Sequence, residues 1–163
     1  MRIGFGYDSH RFAEGRRLLL GGVEVTYEKG LLGHSDADAL VHAVVDAIIG
    51  ALGEGDIGRH FPDTDPRLKG ISSLVILKRA AEMAIHRGYA VSNVDSTVIL
   101  EKPRLAPFIE EMRRNIAKVL GTEASRVNVK AKTNETMGFT GRGEGIAAFA
   151  VVTLARAGAD EVA

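Results

Sequence analysis

Two hydrophobic periods run along the chain, and the shorter one predicts strands. Apolar and polar residues alternate in the segments "VSNVDSTVIL" and "RVNVKAKT", as they do in strands that bury one face. The segment "RRLLLGGVEV" predicts two strands joined by a Gly-Gly turn. The segment "IAAFAVVTLA" is apolar on both faces, which predicts a strand buried on both sides. Strands are predicted in residues 1–7, 16–25, 91–100, 126–133 and 146–155.

The longer period predicts three helices, the first of which is apolar on nearly every face. In "SDADALVHAVVDAIIG", Ser35 is a suitable N-cap, and Asp38 stands three residues on, where a capping box has Glu. The helices are predicted over residues 35–53, 72–87 and 107–120, and loops over 26–35, 53–70 and 134–145. Long loops such as 53–70 are uncommon in compact domains and are often functional.

This order of elements predicts one α+β domain over residues 1–163. The expected architecture is a two-layer α/β sandwich, with a mixed sheet on one side and helices on the other. No predicted element is left to cover the second face of the sheet. We therefore expect the chain to associate with other subunits through that face.

Composition narrows the classes of function. Hydrophobic residues make up 45% of the chain, and Lys+Arg 21 balances Asp+Glu 21, so nothing indicates a nucleic-acid or membrane partner. The sequence has no cysteine, which excludes disulfides, thiolate catalysis and cysteine-bound zinc. The N-terminus lacks the apolar segment of a secretion signal, so we expect a cytoplasmic protein.

One polar stripe interrupts the apolar first helix. Asp38, His42 and Asp46 are spaced by four residues and therefore share one face of the helix. Asp8 and His10, two residues apart, share one face at the end of the first strand. Two imidazoles and a carboxylate are typical of a catalytic zinc site, with Asp38 and Asp46 orienting His42 from behind. The alternatives are an ordinary satisfied histidine and aspartates that cap the helix or face solvent.

Three further segments suit a ligand that carries phosphates and hydroxyls. His34 lies near the predicted N-terminus of the first helix, a position that favours an anion. Carboxylates in the loop 53–70 suit sugar or polyol hydroxyls, and Glu135 suits Mg²⁺. A diphosphate would find suitable partners in Lys130, Lys132, Thr133 and Arg142. Each segment also has an ordinary interpretation, as a loop histidine, turn-forming residues or a solvated glycine-rich hairpin.

Together these segments resemble the family of 2-C-methyl-D-erythritol 2,4-cyclodiphosphate synthases, which belong to the non-mevalonate isoprenoid pathway. The resemblance runs nearly end to end, through "RIGFGYDSHRF", "YEKGLLGHSDADALVHAVVDAIIGA", "GDIGRHFPDTDP", "NVDSTVI" and "VNVKAKTNETMGFTGRGEGIA". It implies a lyase reaction in which the 2-phosphate of 4-diphosphocytidyl-2-C-methyl-D-erythritol 2-phosphate attacks the β-phosphorus and CMP leaves. It also implies a homotrimer with sites between subunits.

The resemblance further implies roles for single residues. Asp8, His10 and His42 are the expected ligands of Zn²⁺ or another divalent cation, and Glu135 is the expected ligand of a second ion, Mg²⁺ or Mn²⁺. His34 and Thr133 are the expected transition-state stabilisers. Asp56, Gly58 and Asp63 are expected in the methylerythritol phosphate pocket, and residues 100–106 with Lys132 on the cytidine diphosphate side. The full set of expected substrate-binding residues is Asp8, Ser9, His10, His34, Ser35, Asp56, Ile57, Gly58, Phe61, Pro62, Asp63, Thr64, Asp65, Leu100, Glu101, Lys102, Pro103, Arg104, Leu105, Ala106, Lys132, Thr133, Asn134, Glu135, Phe139 and Arg142.

Two other functions and one further ligand are compatible with the same residues. A metal-dependent phosphoesterase would use the same Asp8, His10 and His42 on water, and a trimeric metabolite-binding protein would keep the metal without turnover. An isoprenoid diphosphate is a further hypothetical ligand, bound by Arg142 and Phe139 near the three-fold axis. The family often has a lysine after the glutamate of its "TE" pair, where this chain has Thr136.

Overall fold

A computed structural model of the chain describes residues 1–157. Seven strands and five helices make up this part of the chain. The strands are β1 (Arg2–Glu14), β2 (Leu18–Leu20), β3 (Val23–Val25), β4 (Lys29–Leu31), β5 (Tyr89–Ile99), β6 (Val127–Lys132) and β7 (Gly145–Arg156). The helices are α1 (Ala39–Leu52), α2 (Ile57–His60), α3 (Ser73–His86), α4 (Ile109–Leu120) and α5 (Gly138–Gly141).

Five of the strands form one mixed sheet in the order β4-β1-β7-β5-β6. β1 pairs antiparallel with β4 and β7, β5 pairs antiparallel with β7, and β5 pairs parallel with β6. The long helices α1, α3 and α4 cover one face of this sheet. The predicted α+β sandwich is therefore confirmed, and β2 and β3 form the predicted hairpin around Gly21 and Gly22.

Helix α1 lies unusually close to β1 because two glycines of the strand face it. A Cβ placed on Gly4 would come within 1.9 Å of the Ala47 carbonyl oxygen, and one on Gly6 within 2.0 Å of that of Ala43. Strand and helix backbones therefore pack directly against each other. This contact fixes the position of α1, the helix that carries His42, relative to the strand that carries Asp8 and His10.

Several predicted boundaries are wrong. Helix α1 begins at Ala39 with Asp38 as its N-cap, because the Ser35 hydroxyl accepts the N–H of Ala37 in the preceding turn instead of capping the helix. The predicted loop 26–35 contains β4, which forms by pairing with the far end of β1. The predicted loops 53–70 and 134–145 contain the one-turn helices α2 and α5.

The second face of the sheet remains open in the single chain. Odd-numbered residues of β1 and β7 point away from the helices, and Ile3, Phe5, Tyr7 and Val151 are 63%, 61%, 46% and 40% exposed. The prediction that β7 is buried on both faces is thus wrong for one chain alone. The rings of Tyr7 and Phe149 stand 5.1 Å apart on this face, so the apolar surface is continuous across β1 and β7.

Among residues 1–157, no helix has both the length and the apolar character that crossing a membrane requires.

Candidate functional site

Three side chains from β1 and α1 meet at the edge of the helix layer. Asp8 Oδ2 lies 3.0 Å from His10 Nε2 and 3.0 Å from His42 Nδ1. The two imidazole nitrogens stand 3.3 Å apart. Asp8 and His10 are half-buried and His42 is buried, so three potential ligand atoms converge at one protected point.

The remaining nitrogen of each imidazole faces hydrogen-bonding oxygens. His10 Nδ1–H donates to the Leu32 carbonyl (2.7 Å), and His42 Nε2 lies 2.8 Å from Ser73 Oγ and 3.1 Å from Ser35 Oγ. Metal-bound histidines usually donate their other N–H in this way, which fixes the ring and raises its basicity. The donor set of two imidazoles and one carboxylate, with an open fourth side, fits a divalent cation such as Zn²⁺.

The three groups also tune one another electrostatically. Burial alone would raise the pKa of Asp8, but hydrogen bonds and charge interactions with His10 and His42 outweigh burial and hold its pKa well below the usual range. Burial lowers the pKa of His10, whereas Asp8 and the Leu32 carbonyl raise it, with a net upward shift. Asp8 is therefore a carboxylate at neutral pH, the form that binds a cation.

The other two residues of the polar stripe bond to backbone N–H groups, and Asp38 has the capping role that was kept as the alternative interpretation. Its carboxylate accepts the N–H groups of Val41, Gly21 and Gly22 and so joins the start of α1 to the β2–β3 turn. Asp46 accepts the N–H of Ile57 at the start of α2. The hydrogen-bond partners of the His42 ring are Asp8, Ser35 and Ser73, so the interpretation that Asp38 and Asp46 orient it is wrong, whereas helix capping by Asp38 is confirmed.

A cavity of about 360 Å³ opens on the Asp8–His10–His42 cluster. Its lining unites most of the residues that were predicted for the metal and for the methylerythritol phosphate pocket. They are Asp8, His10, Gly33, His34, Ser35, His42, Ile57, Gly58, Phe61, Pro62, Asp63, Leu68 and Ile76. His34 does not lie at the N-terminus of α1, which begins five residues later. Its Nε2–H donates to the Asp65 carbonyl (3.1 Å), which places the ring against the cavity wall.

A second cavity of about 170 Å³ lies between the segment that follows β5 and the end of β6. Its lining contains most of the residues predicted for the cytidine diphosphate side. They are Leu100, Glu101, Pro103, Arg104, Leu105, Ala106, Ala131, Lys132 and Thr133. The two linings share no residue, so a single chain presents two separate cavities.

The turn after β6 holds Thr133 and Glu135 together. Thr133 Oγ1–H donates to the Glu135 carboxylate (2.8 Å). Glu135 and Thr136 adopt left-handed backbone angles, with φ of 51° and 64°, a conformation that is costly for a β-branched residue such as Thr136. The Glu101 carboxylate accepts the N–H groups of Asn134 (2.9 Å) and Thr136 (3.2 Å), which stabilises the turn from the adjoining segment.

Some predicted residues lie elsewhere. Lys130 donates to Asp95 across the β5–β6 pair (2.6 Å), and Arg142 donates to Glu144 (2.6 Å), so both cations already have partners. A further cavity, of about 380 Å³, is lined by Ser9, His10, Arg11, Phe139 and Glu144. The expected binding residues outside the first two linings are Ser9, Asp56, Thr64, Asp65, Lys102, Asn134, Glu135, Phe139 and Arg142.

Two residues near the cluster were missed by the sequence analysis. Ser73, fully buried at the start of α3, contacts His42, and Asp36 accepts both the hydroxyl and the backbone N–H of Ser73 (2.9 Å for the N–H). Ser73 lies 31 residues from His42. No periodicity connects such distant positions, and no sequence pattern marks them.

Known proteins resemble the chain over nearly its whole length. Residues 1–155 match the model of the YgbB family. The 2-C-methyl-D-erythritol 2,4-cyclodiphosphate synthase of Geotalea uraniireducens (strain Rf4) is 58% identical over 156 residues, 96% of this chain and 99% of that protein.

Solved structures agree with the sequence match. The bifunctional IspDF from Campylobacter jejuni has a TM-score of 0.92 at 43% identity, and the match covers 95% of this chain and 42% of that longer one. The IspF CDP complex from Plasmodium falciparum has a TM-score of 0.83 at 36% identity, with 96% of each chain covered. The matched residues include Asp8, His10 and His42, and with this identity and coverage the chain belongs to the YgbB family of 2-C-methyl-D-erythritol 2,4-cyclodiphosphate synthases.

Proposed function

We propose that this chain converts 4-diphosphocytidyl-2-C-methyl-D-erythritol 2-phosphate to 2-C-methyl-D-erythritol 2,4-cyclodiphosphate and CMP. An oxygen of the 2-phosphate forms a bond to the β-phosphorus. The bond from that phosphorus to the oxygen shared with the α-phosphate breaks, and CMP departs with that oxygen. The attacking group is already ionised at neutral pH, and phosphoryl transfer depends chiefly on positioning and charge neutralisation.

The observation that carries this proposal is the convergence of Asp8, His10 and His42 at the wall of the cavity that also contains His34. These residues would hold Zn²⁺, which supplies positive charge to phosphate oxygens when it is bound. His34 lines the same cavity, and since its Nε2–H bonds the Asp65 carbonyl, the atom that would donate to a phosphate oxygen is Nδ1, in the imidazolium form. Gly58 and Asp63, also in the lining, suit the methylerythritol phosphate part of the substrate.

The smaller cavity suits the cytidine diphosphate part. Lys132 and Thr133 bring an ammonium and a hydroxyl to one wall, and residues 100–106 form the other. The Glu135 carboxylate, next to Thr133, would hold a second ion, Mg²⁺ or Mn²⁺, against the diphosphate. The structural relative from Plasmodium falciparum is a CDP complex, which supports a cytidine nucleotide as the ligand.

A complete site would need both cavities, so we place it between two subunits of a homotrimer. The open apolar face with Ile3, Phe5 and Tyr7 supplies the surface for association with second and third copies of this chain. In a cyclic oligomer, each interface takes one surface from each partner, which would join the metal side of one chain to the cytidine side of the next.

Product analysis tests the proposed reaction. The purified protein is incubated with the substrate, CMP release is followed by chromatography, and the second product is identified by ³¹P NMR. A cyclic diphosphate supports the proposal, whereas a linear phosphate monoester would indicate a metal-dependent phosphoesterase. Tight binding of the substrate without any CMP would indicate a non-catalytic metabolite-binding protein.

A further inference from the structure

In each histidine of the cluster, one ring nitrogen faces Asp8 and the other faces away from it. The hydrogen-bond partners of the nitrogen that faces away differ between His10 and His42. The partner of His10 Nδ1 is a backbone carbonyl, which can only accept, so Nδ1 carries a proton and Nε2 is the nitrogen that would bind a cation. The partners of His42 Nε2 are two serine hydroxyls, Ser73 Oγ at 2.8 Å and Ser35 Oγ at 3.1 Å. A hydroxyl can both donate and accept, so neither serine alone decides which ring nitrogen is protonated.

Asp36 removes this ambiguity. The Ser73 hydroxyl donates to the Asp36 carboxylate, because a carboxylate has no proton of its own to donate. The Ser73 oxygen is then left to accept, and the group that it accepts from is the Nε2–H of His42. Ser35 Oγ is the more distant of the two hydroxyls and already accepts the N–H of Ala37, so Ser73 is the nearer partner of His42 Nε2. Nε2 of His42 would therefore keep its proton when a cation is bound, and Nδ1, which faces Asp8, is the nitrogen that would give its lone pair to the cation.

We propose that Asp36 and Ser73 are positioning residues for the metal site and that they act through the tautomer and orientation of His42. Without the Asp36 side chain, the Ser73 hydroxyl could turn and donate to Nε2, which would favour a proton on Nδ1. That nitrogen lies 3.0 Å from Asp8 Oδ2, so a proton there occupies the position that a cation needs. This inference rests on the proposed zinc site and names two residues that make no contact with the cation themselves.

The test is zinc affinity, measured by competition with a chromophoric chelator. Asp36→Ala and Ser73→Ala should each weaken zinc binding about 10- to 100-fold, the usual effect of removing the partner of a metal-bound histidine. Ser72→Ala is the matched control, because Ser72 is the exposed N-cap of α3 and its side chain makes no capping hydrogen bond. The Ser72 variant should bind zinc as the wild type does.

Two further readouts separate this role from a general structural one. Because Asp36 acts through Ser73, the double variant should bind zinc no more weakly than Ser73→Ala alone, whereas independent structural damage would add. In the zinc-loaded wild type, ¹⁵N–¹H NMR should show a slowly exchanging proton on His42 Nε2, and this signal should be lost in Ser73→Ala.

The outcomes are distinct. Wild-type zinc affinity in both single variants would overturn this inference and leave the proposed function intact. A wild-type chain that binds no zinc would overturn the proposed metal site, and this inference with it. If Asp36→Ala does not fold, Ser73→Ala decides, because it removes a single oxygen atom.

Discussion

Gly6 of β1 lies against the backbone carbonyl of Ala43 in α1, so that a Cβ on Gly6 would come within 2.0 Å of that oxygen. A carbonyl oxygen in a helix cannot rotate away as a flexible side chain can. Gly6→Ala should therefore push α1 from the sheet and destabilise the fold by roughly 3 kcal/mol or more, at the upper end of the range for overpacking. Thermal or urea unfolding of the purified variant measures the loss.

Gly50→Ala is the matched control for Gly6→Ala. Gly50 lies within α1, and a Cβ there would meet only the Phe5 carbonyl oxygen, at 3.7 Å. Because alanine is about 1 kcal/mol more favourable than glycine inside a helix, this variant should be at least as stable as the wild type. Equal stability of the Gly6 and Gly50 variants would contradict the close approach of strand and helix.

Asp38 should contribute to stability and not to metal binding. Asp38→Ala leaves three N–H groups, of Gly21, Gly22 and Val41, without their acceptor in a buried place, at a cost of about 3 kcal/mol or more. Asp38→Asn keeps an acceptor for two of them and should lose less. Both variants should bind zinc as the wild type does once they are folded. A selective loss of zinc affinity in a stable Asp38→Asn protein would contradict this prediction and would indicate that Asp38 orients His42.

Glu101 should act on the turn that carries Glu135. Its carboxylate holds the N–H groups of Asn134 and Thr136, so Glu101→Ala removes the support for a strained backbone. Misplacement of Glu135 by about 1 Å would lower the rate about 100-fold, and higher Mg²⁺ should restore part of it. Glu101→Gln keeps the accepting oxygen and should retain most activity, so equal defects in both variants would indicate that the charge acts directly on substrate.

His42→Ala should abolish zinc binding and leave the fold, because the apolar faces of α1 hold the helix in place. Added zinc should raise the melting temperature of the wild type and not of this variant, since a ligand stabilises only the state that binds it. The rate should fall to less than a tenth of wild type. His86→Ala is the control, because it removes an imidazole at the exposed end of α3, outside the cluster. This variant should behave as the wild type does.

Subunit mixing tests the proposed position of the site. Asp8→Asn and Thr133→Ala should each be almost inactive alone. The two variants are co-expressed so that they assemble into mixed trimers. In a mixed trimer, some interfaces combine an intact Asp8 from one chain with an intact Thr133 from its neighbour, and these sites should recover activity. If both residues acted within one chain, every site would carry a defect. Persistent inactivity of trimers shown by mass spectrometry to be mixed, and assembled as well as each parent, would reject the shared site.

The features that could be predicted from the sequence are those that depend on the regular spacing of residues in strands and helices. Asp8 and His10 two residues apart, and His42 on the one polar stripe of an apolar helix, were identified because strand and helix periods place them. The resemblance to a family added residues 100–106, which no period marks. The Gly-Gly hairpin was predicted for the same local reason, since Gly21 and Gly22 both take positive φ.

The features that were missed depend on contacts between distant segments. β4 has three residues and forms only because Leu31 pairs with Phe12. The start of α1 was misplaced because Ala37 adopts φ of 60°, which its residue type does not signal, and Ser35 bonds within that turn. Ser73 reaches His42 only through the packing of α3 on α1, which no local pattern encodes.

The alternation of β1 places severe limits on how this segment can change in length. Its even-numbered residues turn Gly4 and Gly6 to the helix and Asp8 and His10 to the metal cluster, while its odd-numbered residues turn Phe5 and Tyr7 to the open face. Inserting or deleting one residue ahead of Asp8 would send the ligands outward and bring aromatic rings against α1. Point substitutions alter one of these features at a time, whereas a single-codon insertion would disrupt the packing on α1, the Asp8–His10–His42 cluster and the open apolar face together.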